Sequence, residues 1–233
     1  MEGIDPVWFD GLPADIAASA AANILRHATI RLRPSPEWRA RLEAAPPDAL
    51  DDNQHHFLVA RLIFEGRLDD AQRLAAVRKS IQSTSDLAWL VLLGGDAVGA
   101  TAAWEKALTA FLKAFGRRSR YFQDWNGLFF IVALIATGRL GRAVVLAEAA
   151  GAAGVSAVPH GHATLLWVAR SLLAPGVEDV HCPSPDSTWD PIEVLIHALA
   201  LRWAGLQVPA LMSENLPRSR GGLPWAGSIR RER

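Results

Sequence analysis

The chain has 233 residues, enough for one large or two small domains, and half of them are hydrophobic, which excludes a disordered composition. Lys and Arg number 24 against 24 Asp and Glu, so no global field draws the chain to nucleic acid or to an anionic membrane. A single cysteine, Cys182, excludes an internal disulfide and suits a reducing compartment.

The N-terminal stretch MEGIDPVWFDG carries acidic residues and lacks the basic, apolar and cleavable pattern of a signal peptide. A first helix is expected over 13–33. The proline-punctuated stretch 34–52 reads as a connection with one short helix. Residues 53–66 form a partner helix ending at Gly66. A helix over 68–81 follows, with Asp69 and Asp70 in its first turn and Arg78 and Lys79 near its end, as the helix dipole favours. Over 98–115, Trp104, Ala107, Leu108, Phe111, Leu112 and Phe115 fall on one stripe of a 3.6-residue period. Gly116 stands where a left-handed cap residue belongs. The run 126–138 is apolar nearly all round, with Asn126 placed to cap its start and Gly138 to stop it. Its 12 strongly apolar residues, 127–138, fall short of the roughly 20 a bilayer span needs. A buried helix in a soluble cytoplasmic protein is the expectation. A second helix is expected past Gly138 within 137–150, and further helices over 162–174 and 192–206, with a loop over 175–191. The tail from Ser213 lacks periodicity and is expected to be poorly ordered. No strand pattern emerges.

Three joints share a form: EGRLDDAQRL at 65–74, GGDAVGATAAWEKAL at 94–108 and TGRLGRAVVLAEAA at 137–150. In each, an apolar helix gives way to Gly and a charged residue, then to a helix with small residues early. Gly66, Gly95 and Gly138 lie 29 and 43 residues apart, so the period is irregular. The pattern resembles tetratricopeptide-like hairpins, in which small residues let paired helices approach closely. The expected fold is all-α: an irregular array of stacked antiparallel helical hairpins. One domain covers 1–212, with its hairpin array at 53–206 and a tail at 213–233.

Chemical motifs are scarce. There is no Gly-Lys pair for a phosphate loop, no HExxH, no GxSxG and no CxxC. His160, His162, His181 and Cys182 are ligand types that zinc accepts, but their spacing follows no metal pattern; capping of a helix near Gly161 is the simpler role. His55 and His56 read as helix-surface residues and His197 as a satisfied core histidine. Asp51/Asp52 and Asp69/Asp70 fit capping and dipole roles. Trp189 and Trp225 lie in loops, where an exposed aromatic serves binding. No cofactor or catalytic residue is expected. The local charge from Glu105 to Arg120 is +4, from Lys106, Lys113, Arg117, Arg118 and Arg120 against Glu105. Cations just past a helix end first serve its dipole. A contact of Lys113, Arg117, Arg118 and Arg120 with nucleic acid or an acidic partner, aided by stacking on Tyr121 and Phe122, is the alternative.

Residues 95–138 carry a family likeness. Gly-Asp opens a hairpin, an aromatic-Glu-Lys-Ala-Leu helix follows, then a Gly-Arg-Arg turn and a Gly-Leu-Phe-Phe helix. This resembles the helical accessory region N-terminal to the motor of bacterial Swi/Snf-type helicases. The resemblance implies a non-catalytic accessory module whose partner is a helicase motor, and a detached or truncated segment, since the chain has no motor box. The alternative is an independent tetratricopeptide-like protein-interaction module.

Overall fold

The computed structural model describes residues 11–30, 36–45, 50–116, 125–152, 158–175, 182–186, 189 and 191–204. Among these the only regular elements are ten helices, so the all-α class is as expected. They are α1 (Ala14–Ile30), α2 (Pro36–Ala44), α3 (Asp52–Phe64), α4 (Leu68–Val77), α5 (Ile81–Leu93), α6 (Ala97–Phe115), α7 (Trp125–Ala136), α8 (Leu140–Ala152), α9 (Pro159–Leu173) and α10 (Pro191–Trp203). The sequence reads as one hairpin domain over 1–212; packing groups the chain into two compact units, Met1–Asp86 and Leu87–Arg233, dividing within α5. The tail from Ser213 lies outside the described residues.

In the first unit α1 packs on α2, α3 packs on α4, and α1 also touches α3. Contact between the leading helices of successive pairs is how stacked hairpins bury a continuous core. Leu25, Leu42, Leu58 and Ile63 are fully enclosed. The helix expected over 68–81 is interrupted. It stops at Val77, because Arg78 turns extended (φ −107°, ψ 149°) and reaches back to the Leu50 carbonyl and to Asp52 Oδ1 at 3.1 Å. Ser80 then starts α5, its hydroxyl accepting from the Ser83 amide at 3.1 Å.

In the second unit α6, α7, α8, α9 and α10 pack each on the next, and α7 also touches α9. All 12 residues of α7 are buried. Phe129 stacks on Trp89 with ring centroids 4.5 Å apart, and Phe130 lies 6.0 Å from Trp104. Asn126 does not cap this helix: α7 begins one residue earlier, and Asn126 is buried within its first turn. The stripe expected on α6 is buried only in its first half. Trp104, Ala107 and Leu108 are enclosed, whereas Leu112 and Phe115 are exposed.

The joints at Gly66, Gly95 and Gly138 have one geometry. Their φ angles are 75°, 92° and 72°, in the left-handed region where a side chain is strained. Each glycine amide donates to the carbonyl three residues back, and the next amide to the one five back: Arg67 to Leu62 (2.9 Å), Asp96 to Val91 (3.2 Å) and Arg139 to Leu134 (2.8 Å). This is the Schellman termination, which satisfies carbonyls the ending helix leaves orphaned. The residue after each glycine also opens the next helix, since its carbonyl accepts from Ala71, Ala100 or Ala143 at 3.0–3.1 Å. All three alanines are fully buried. A left-handed glycine thus ends one helix, and a buried alanine five residues on marks the close packing of the second.

Candidate functional site

Lys113 is exposed in the last turn of α6, which closes at Gly116 (φ 72°) with the Gly116 amide donating to the Leu112 carbonyl at 2.9 Å. Arg117, Arg118 and Arg120, with Tyr121 and Phe122, lie outside the described residues. In the same turn Phe115 is largely exposed, and its ring centroid is 4.8 Å from that of Phe111. Lys113 stands two residues from each ring, about 200° round the helix, so this cation, the one described member of the proposed contact, does not share their face.

The histidines near α9 form a structural cluster. His162 is buried within α9, while His160 stacks on Trp189 at 4.8 Å with planes 12° apart. Trp189 is buried rather than displayed for binding, and its edge meets His197 at 5.4 Å. The start of α9 is capped not by these histidines but by Glu193 of α10. The Glu193 Oε1, almost wholly enclosed, accepts from the amides of His160 (2.8 Å) and Gly161 (3.0 Å). A carboxylate at this end is favoured by the orphan amides and by the dipole. A Cβ at Gly161 would lie 3.0 Å from Leu128 Cδ1, so the glycine permits α7 to approach. His197 is enclosed, with its Nδ1 3.5 Å from the Thr164 hydroxyl, and burial lowers its pKa. Cys182 is half-buried, and desolvation raises its thiol pKa. His181 lies outside the described residues, among which no group of three His, Cys, Asp or Glu side chains could hold a metal ion.

In the first unit the expectation of surface histidines is overturned. His55 and His56 are both buried. His55 Nε2 lies 3.0 Å from the Leu74 carbonyl, joining α3 to α4, and His56 Nδ1 is 2.7 Å from Asp86 Oδ1. Burial lowers the His55 pKa, against an opposing pull from the Asp86 carboxylate. Asp51 closes a capping box: its Oδ1 accepts from the Gln54 amide at 2.8 Å, and the Gln54 side chain accepts from the Asp51 amide at 2.9 Å.

A chain of alternating charge that sequence reasoning missed fastens α2, α3 and α4. Arg61 donates to Glu65 (2.7 Å), Glu65 also receives Arg39, and Arg39 approaches Glu43 (3.5 Å). Glu43 receives Arg67 (3.0 Å), Arg67 donates to Asp70 (2.6 Å), and Asp70 also receives Arg73. The hydrogen bond from Arg67 holds the Asp70 carboxyl below its usual range. The i,i+4 spacings of Arg39/Glu43 and Arg61/Glu65 were legible signals; the links between helices were not.

Among the described residues no helix is long and apolar enough to cross a membrane. Comparison of the chain with family models, with curated proteins and with solved structures returned no match.

Proposed function

We propose that the chain is a non-catalytic helical-hairpin scaffold that binds another protein, a tetratricopeptide-like interaction module. The observation that carries this reading is the joint used three times, with its left-handed glycine and its buried alanine five residues on. At Ala100 and Trp104 the spacing also follows the Ala-x3-aromatic step of tetratricopeptide helices. The enclosed histidines serve packing and helix joining, which supports a scaffold over a catalyst. A photo-crosslinking residue at Val98 or Val145, both exposed, tests the reading in living cells. The expected result is one discrete protein adduct from one of these faces, abolished by charge reversal beside the probe. Adducts that stay diffuse at both positions would count against it.

A second reading, an accessory segment working with a Swi/Snf-type helicase motor, is supported by the likeness at 95–138. It predicts a motor gene fused to this frame or just downstream of it, and an intact unrelated neighbour would count against it; a nucleic-acid contact in that segment would show as salt-sensitive DNA or RNA binding that falls when Arg117, Arg118 and Arg120 become alanine. Binding absent, or unchanged by those substitutions, removes the nucleic-acid contact.

A further inference from the structure

A cleft of about 410 Å³ opens between α2, α3 and α4, within the first unit. That volume lies in the range of small-molecule sites, which are apolar inside and carry a few placed polar groups. Leu42, Leu50, Leu58, Leu62 and Leu74 line it, and Val77, 61% exposed, stands at the mouth. Its charged lining is one stretch of the ladder: Glu43, Arg67, Asp70 and Arg73. The two acids there are each held by two guanidinium groups, Glu43 by Arg39 and Arg67, Asp70 by Arg67 and Arg73. Exposure along the ladder rises from 7% at Arg61 to 76% at Arg73, its outer end. The charged lining is neutral in sum, two arginines against two acids, and both acids are already paired. A cationic ligand would have to displace a guanidinium from Glu43 or Asp70. An anion meets N–H donors at Arg73 that point to solvent.

We propose that this cleft binds an acyl-chain carboxylate, its hydrocarbon against the leucines and its carboxylate on Arg73 at the rim. The site does not depend on the scaffold reading, although Leu62 and Arg67 of the Gly66 joint help to line it. Titration calorimetry of the full chain with dodecanoate, dodecan-1-ol and dodecylamine, all below micelle formation, tests it. Dodecanoate is expected to saturate a single site and to bind about tenfold or more tightly than the alcohol, the scale of one charge-assisted hydrogen bond. Val77→Asp, at an exposed position that leaves the fold intact, should abolish dodecanoate binding. Arg73→Gln, also exposed, should bring the acid down to the alcohol. Three results would overturn the proposal: no saturable binding of dodecanoate, amine or alcohol binding as tightly as the acid, or full binding retained in Val77→Asp.

Discussion

In Met1–Asp86, seven alternating charges run from Arg61 to Arg73 and fasten three helices, while in Leu87–Arg233 a single helix, α7, buries all 12 of its residues. The ladder contributes little net stability, because partly exposed ion pairs gain modest Coulomb energy and lose side-chain freedom. Its effect is geometric: it sets the spacing of α2, α3 and α4 and leaves one guanidinium at the mouth of a cleft. Around α7 the stabilisation comes from area removed from water, at about 25 cal/mol per Å² of apolar surface. One unit is therefore held open and charged at its rim, and the other is closed around aromatic rings.

Substitution within α7 is the hardest blow to this contrast. Phe129→Ala removes a fully buried ring stacked on Trp89 and should cost about 3–5 kcal/mol, read by urea denaturation. Next comes the cap on α9. Glu193→Ala leaves the His160 and Gly161 amides without their carboxylate and should cost about 1–3 kcal/mol, with Glu193→Gln losing less. The smallest effect belongs to the surface pair Arg142–Glu105, bidentate at 2.9 Å but half exposed; Arg142→Ala should cost no more than about 1 kcal/mol.

Acid sharpens the comparison, since each unit contains a histidine whose pKa burial lowers, His55 in the first and His197 in the second. A lowered folded-state pKa means the unfolded chain binds more protons, so stability rises with pH in this window. Their contribution is complete above about pH 6.5, the unfolded value, and is lost as pH falls below it. The melting temperature should drop below pH 6.5, and His197→Leu should flatten that slope.

The helices legible in the sequence were those whose signals are local. The apolar run of α7, the buried first half of the α6 stripe and the glycines at 66, 95 and 138 needed no distant partner. What escaped depends on distant groups. The break after Val77 exists because Arg78 reaches Leu50 and Asp52, some way back along the chain. His55 and His56 looked like surface residues because Leu74 and Asp86 lie outside their helix. The Glu193 cap joins α10 to a helix start more than 30 residues earlier, which no local pattern announces. The exposed end of the α6 stripe, Leu112 and Phe115, kept its period without its burial.

The scaffold reading rests on the repeated joint, and one mutant series tests that joint directly. Alanine at Gly66, Gly95 or Gly138 forces a side chain into the left-handed region and should cost about 1–2 kcal/mol at each site. Alanine at Gly141, in the first turn of α8 with open space around it, should instead add about 0.5–1 kcal/mol. Equilibrium urea denaturation of the four variants reads both signs. Loss at the three joints with gain at Gly141 is the predicted result; joint variants as stable as the parent would contradict the account.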